Sequence, residues 1–161
     1  MTGTTGGYTS AALAEQAAGL ERGSFTLADA VDLGLLAVQR ATAQELPIVL
    51  EVHHLGRVAF RAALPGSLPD SDDWIRRKAN VVGRFTSSTL AVRVRFEECG
   101  QTFAEGTGLD EADYAAHGGG LPIVVRGVGP VGALYASGLP QVEDHEFAVS
   151  CLRELATRRP G

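Results

Sequence analysis

Two short segments each hold a histidine beside residues suited to special backbone geometry. In Asp113-Tyr-Ala-Ala-His-Gly-Gly-Gly-Leu-Pro-Ile123, His117 precedes Gly118, Gly119 and Gly120; in Ser137-Gly-Leu-Pro-Gln-Val-Glu-Asp-His145, a Ser137-Gly138 pair precedes a proline and an acidic stretch. An imidazole in such a place either ligates a metal or haem iron or caps a loop. A glycine run lets the backbone approach a ligand or a neighbouring chain closely. This run lacks the lysine of a phosphate loop and the spacing of a dinucleotide fingerprint, so no nucleotide is expected. A helix starting after Pro140 presents free N–H groups that suit an anion or carboxylate, with Glu143 and Asp144 standing at the same end as caps. Ser137 lies outside a G-x-S-x-G elbow, and no residue is assigned a catalytic role.

The run Asp72-Asp-Trp-Ile-Arg-Arg-Lys78 supports three readings. It is the salt-laced face of an amphipathic helix anchored by Trp74, a subunit interface, or an Arg76–Arg77 pair able to hold carboxylates in bidentate fashion. The side chains of His53 and His54 point to opposite faces of a strand and cannot share one metal. With no H-x-x-x-H pattern or Cys/His cluster, no structural metal is expected.

Helical spacing and alternation place these residues. A helix is expected over 10–21. A second follows to about Thr42, opened by Thr26 with Asp29 three residues on, an aspartate variant of the capping box. This helix carries Val31, Leu35 and Val38 on one face and Ala30, Gly34, Ala37 and Ala41 as a small-residue stripe, a pattern expected to pack on two sides. Alternation from Ile48 to Val52 and from Val58 to Ala62 around a His54-Leu-Gly56 turn predicts a β-hairpin. A helix then begins at Asp70, with Trp74, Val81 and Phe85 on one face and Arg76, Asn80 and Arg84 forming a polar stripe. Residues 89–99 alternate like a strand. A second hairpin spans 122–136, and a last helix runs from Glu143 to Thr157 with Ala148, Cys151, Leu152 and Leu155 inward. Hairpins without βαβ crossovers imply an α+β fold whose antiparallel sheet is covered by helices.

The 161 residues are expected to form a disordered leader over 1–8 and a single domain over 9–161. Apolar residues make up 45% and aromatic residues only 6%, so the core must rest on Val, Leu and Ala. A net charge of −5 opposes nucleic-acid binding, and no segment has the apolar length of a membrane span. Cys99 and Cys151 form no C-x-x-C pair and read as reduced thiols of a cytoplasmic protein.

Leu64-Pro-Gly66, Asp72-Asp-Trp-Ile-Arg-Arg-Lys78, Asn80-Val-Val82, Asp113-Tyr-Ala-Ala-His-Gly-Gly119, Pro122-Ile123, Ser137-Gly-Leu-Pro140 and Glu143-Asp-His145 together resemble a family of haem-degrading-domain proteins. That family is related to GlcG, to secreted haem-binding proteins and to the C-terminal domain of some cobalamin adenosyltransferases. The resemblance covers nearly the whole chain after Thr9. It implies a profilin-like α/β/α sandwich, helix over 89–99, assembly into a dimer or larger homo-oligomer, and haem or a related small ligand with weak oxidative activity. The alternative is a non-enzymatic oligomeric binding or scaffold protein. On this resemblance the ligand-binding residues are His117, Gly118, Gly119, Ser137, Gly138 and His145, with Arg76 and Arg77 for propionates. Gly120-Leu121 stands where relatives carry an aromatic, which removes a surface for stacking on a porphyrin.

Overall fold

The computed structural model describes residues 4–161. Helices α1 (Ser10–Gly19) and α2 (Leu27–Ala43) lead into the hairpin β1 (Val49–His54) and β2 (Arg57–Ala63). Helices α3 (Asp70–Phe85), α4 (Thr89–Glu98) and α5 (Phe103–Thr107) follow, then β3 (Gly120–Val125), β4 (Gly129–Ser137) and α6 (Gln141–Arg158). The strands form one antiparallel sheet in the order β2-β1-β4-β3, with β1 pairing β4 through Val49–Ser137 and His54–Gly132.

Strand alternation divides the side chains between two faces. Ile48, Leu50, Val52, Leu134, Ala136 and Ile123 point to α2 and α6 and merge with Leu33, Leu36, Phe147 and Leu152 in the main core. Each large aliphatic side chain buried there contributes roughly 1.5–3 kcal/mol. Val49, Ala133 and Tyr135 point the other way, against Ile75, Ala79 and Val82 of α3. The sheet is therefore covered on both sides, as the antiparallel α+β expectation required.

The Thr26 capping box forms as expected, the hydroxyl accepting from Asp29 N and the Asp29 carboxylate accepting from Thr26 N. Residues 89–98 are helical despite their alternation. Leu90 and Val94 pack on Leu13 of α1, while Val92 packs with Val81 and Phe103, so the helix is buried on two sides. The helix α2 packs on two sides, the sheet and α6, but not through Val31 and Leu35. Its small-residue face meets the sheet, where the Phe60 ring occupies the space a Gly34 side chain would need, while Val31 and Leu35 are 38% and 56% exposed. Residues 1–3 of the expected leader lie outside the described residues. Thr4–Gly7 form a turn in which Thr5 is buried, and the Gln141 amide of α6 donates to Thr4 O. Cys99 is exposed, whereas Cys151 is buried in α6. Among the described residues no helix is long and apolar enough to cross a membrane.

Candidate functional site

The site is built where β4 ends and α6 begins. Ser137 shares the face of Ala133 and Tyr135, so its side chain lies on the α3 side of the sheet. Gly138 then takes a φ of +145°, and a Cβ there would lie 2.5 Å from Pro47 O, so a side chain has no room. Pro140 offers no side chain to cap α6. From the opposite side, the spacing Ser71–Ile75–Lys78–Val82 aligns these residues on the sheet-facing stripe of α3, and all four are buried. The apolar middle of the stripe covers Val49 and Tyr135. Ser71 in the first turn and Lys78 beyond Ile75 both reach the β4–α6 turn.

Lys78 is 2% exposed and its ammonium donates to Ala136 O at 2.9 Å and to Asp144 Oδ2 at 3.2 Å. The other Asp144 oxygen accepts from Leu139 N at 3.1 Å, so the turn also caps itself. Burial pushes the Asp144 carboxyl up to about 6, against the opposing pull of Lys78, and burial lowers the Lys78 ammonium. The glycine run closes over this pair. Gly119 has a φ of +123°, and a Cβ on it would come within 2.3 Å of Ala136 O and 2.7 Å of Lys78 Nζ. At Gly118 a Cβ would meet Gln141 O at 2.1 Å. These two glycines serve close approach of the chain to β4 and α6, and Gly118 N donates to the Gln141 side chain.

His117 stands at the lip. Its ring is edge-on to Trp74 at 4.9 Å, and it forms part of the wall of two adjoining clefts. One, of about 270 Å³, is lined by Ser71, Trp74, Lys78, Ser137, Gly138 and Asp144 among others. The second, of about 260 Å³, holds Trp74, Arg77, Arg93, Glu97 and Tyr114. Desolvation, with smaller contributions from Arg93, Lys78 and Arg77, lowers His117 to about 4, so the imidazole is neutral at pH 7.

Of the residues named from the sequence, His117, Ser137 and Gly138 thus line one cleft, with Gly118 and Gly119 closing the loop behind it. The arginine pair divides. Arg77 stacks its guanidinium 4.0 Å over the Trp74 ring, bonds Asp73 and Glu111 O, and lines the second cleft. Arg76 is exposed and ties α3 to the following loop through Asp73, Asp113 and Ala112 O. His145 faces elsewhere. Its Nε2 lies 2.7 Å from Gln16 Oε1 of α1, its ring meets Tyr8 edge-on at 5.7 Å, and it lines neither cleft. His53 and His54 part as expected, the first against Tyr135 and Glu51, the second toward Phe25 O on the other face. Lys78 went unrecognised as a buried cation, although its spacing from Ile75 and Val82 places it on the apolar stripe.

Comparison with known proteins bears on the chain as a whole. The family profile described as Haem degrading protein HbpS-like matches residues 25–153. A UPF0303 protein of Streptomyces coelicolor is 49% identical over 147 residues, covering 91% of this chain and 93% of the relative. The crystal structure of Ybr137w protein superposes with a TM-score of 0.85 at 31% identity, covering 92% of this chain and 88% of that one. The crystal structure of HbpS superposes at 0.62 with 21% identity, covering 85% and 91%. The crystal structure of a PduOC:Heme complex superposes at 0.67 with 20% identity, covering 81% and 94%. These last two likenesses establish the shared fold. With a profile match over most of its length and relatives at this identity, the chain belongs to the HbpS-like haem-degrading protein family.

Proposed function

We propose that this protein binds haem or a closely related ligand at His117. The observation that carries the reading is a neutral imidazole on the ridge between two clefts, with no hydrogen bond to its ring among the described residues. Neutral imidazole is the ligating form, so His117 would be the residue to hold haem iron. Arg77 and Arg93, both lining the second cleft, fit the propionates. Trp74 supplies an aromatic wall beside them. Each cleft is smaller than the roughly 300–1,000 Å³ of a pocket that encloses a drug-sized ligand, so neither would enclose a porphyrin by itself. Bound haem supplies oxygen activation and the oxidative breakdown of its own ring. The chain's part is to hold iron through His117, to neutralise carboxylates through the arginines and to exclude water on the Trp74 side. Membership of a family described as haem-degrading, and a fold shared with a haem complex, support this reading. Titration with haemin is expected to give a Soret shift that His117→Ala abolishes and His145→Gln retains. A shift that survives His117→Ala would overturn the assignment.

A second reading, self-association, is favoured by a separate observation. Leu27, Val31 and Leu35 recur at i, i+4 and i+8 on α2 and are 38%, 38% and 56% exposed. Such a stripe suits a second copy of the chain. Light scattering during size-exclusion chromatography is expected to show an oligomer that Val31→Glu with Leu35→Glu reduces to monomer. An oligomer unchanged by these substitutions would remove α2 from the interface.

A further inference from the structure

At the β4–α6 turn several hydrogen-bond donors face the cleft without a protein partner among the described residues. Asp144 spends one oxygen on Lys78 and the other on Leu139 N, and Asp70 accepts from the Trp74 indole. By contrast, the Ser137 and Ser71 hydroxyls, 4% and 8% exposed as residues, have no hydrogen-bond partner among the described residues, although both line the cleft. The Lys78 ammonium has three hydrogens and uses two. The first-turn N–H groups of α6, an 18-residue helix, have no side-chain cap, and its first residue, Gln141, also lines the cleft. These donors face the cleft rather than a protein acceptor, so an occupant rich in acceptors complements them.

We propose that the cleft between α3 and the β4–α6 turn is a binding site for a small monocarboxylate, whose oxygens accept from Ser137, Ser71 and Lys78. At about 270 Å³ it admits a molecule of a few heavy atoms. A single negative charge suits it better than two, because Lys78 is already paired with Asp144 and Asp70 stands in the wall. Trp74 and Leu68, at the outer side, leave room for a short apolar or carbonyl-bearing tail. This site adjoins the proposed haem position at His117 but rests on none of that reading.

The test is an amide NMR titration of the full chain with sodium acetate and sodium pyruvate at constant ionic strength, with acetamide as the neutral isostere and inorganic phosphate as the dianion. Saturable shifts confined to residues 137–143 and the facing turn of α3 are expected for both carboxylates. Ser137→Ala, whose folding is checked by the dispersion of the same spectrum, is expected to weaken acetate about tenfold, the loss of one hydrogen bond to a charged group. Ser71→Ala gives an independent second reading of the same loss. Shifts that do not saturate, equal binding of acetamide, tighter binding of phosphate than of acetate, or an affinity unchanged in both serine variants would overturn the proposal. The haemin spectrum reports on His117 and the acetate titration on Ser137, so the two readings fail separately.

Discussion

The two faces of the sheet are made differently. Against α2 and α6 the strands present aliphatic and alanine side chains and the Phe60 ring, and the cluster runs unbroken from Phe25 to Leu155. Against α3 the apolar contact shrinks to Val49, Ala133 and Tyr135 with Ile75, Ala79 and Val82. Beyond that patch lie Ser71, Lys78, Ser137 and Asp144 at one end, and Glu51, His53 and Arg61 toward the edge strand. The difference teaches where stability and chemistry divide. One face supplies the free energy of folding. The other accepts the cost of buried polar groups, and the two clefts that share His117 open there and beside α4.

If that division holds, the largest penalty should come from leaving one of those polar groups without its partner. Lys78→Met strands the Asp144 carboxylate in a buried site, and a loss of about 3–5 kcal/mol is expected from urea denaturation at pH 7. Without the pull of Lys78 the desolvated Asp144 carboxyl rises above its wild-type value, so it takes a proton more readily and the loss should shrink as pH falls to 5. Adding Asp144→Asn keeps an acceptor for Leu139 N while removing the charge, and should recover much of the stability. A double variant as unstable as the single one would show that the lysine acts through packing alone. On the opposite face, Leu134→Ala removes a fully buried side chain of the main core and should cost about 2–5 kcal/mol at every pH.

Acid sharpens the comparison further, because buried titratable groups with opposite shifts oppose one another. Desolvation depresses His145 to about 4 from an ordinary 6.5. Between these values the unfolded chain holds a proton that the folded one lacks, so this contribution is full above pH 6.5 and is lost as pH falls toward 4. His117, lowered to about 4, acts in the same direction. Asp144 acts in reverse. Raised to about 6 from 3.8, it is protonated in the fold where the unfolded chain is not, and this favours folding as pH falls. His145→Gln, which keeps an amide beside Gln16, should flatten the acid loss by up to about 1.4 kcal/mol per pH unit within the 4–6.5 window. A slope identical to that of the wild type would mean that Gln16 and Tyr8 release the ring on acidification.

How much of this was legible follows from how each signal is written. The Thr26–Asp29 box, the hairpin alternation and the inward face of α6 are local patterns, and they map directly onto what forms. The glycine run and the Ser137-Gly138 bend were legible as places of close approach, and they do meet at one cleft. Residues 89–98 were ambiguous because α4 is buried on two sides. Leu90 and Val92 serve different neighbours, and a helix with two apolar faces imitates alternation. The Ser88 hydroxyl accepting from Ala91 N was the available helix signal. The short α5 carried its own capping box, Thr102 with Glu105. Lys78 was obscured by its neighbours, because a lysine after two arginines reads as part of a solvated run. Only its register with Ile75 and Val82 marks it as inward, and its partner lies 66 residues away. His145 shows the converse. Its place beside a ligand-like bend suggested a site, but the ring direction depends on where α1 lies, and no pattern near residue 145 encodes that.

The smallest expected effect isolates the comparison most cleanly. Ser137→Ala removes a hydroxyl that has no partner among the described residues, while the backbone of β4 still pairs with Val49. Alanine fits the extended backbone there, and the methyl group faces the cleft rather than a packed neighbour. The stability change should therefore stay within about 0.5 kcal/mol, measured by urea denaturation beside the Leu134→Ala variant. A side chain that is 4% exposed yet contributes almost nothing to folding is accounted for by what it offers an occupant. If Ser137→Ala instead costs as much as a core truncation, the hydroxyl belongs to the packing of the α3 face. The division between a stabilising face and a binding face then fails at the residue where it was expected to be clearest.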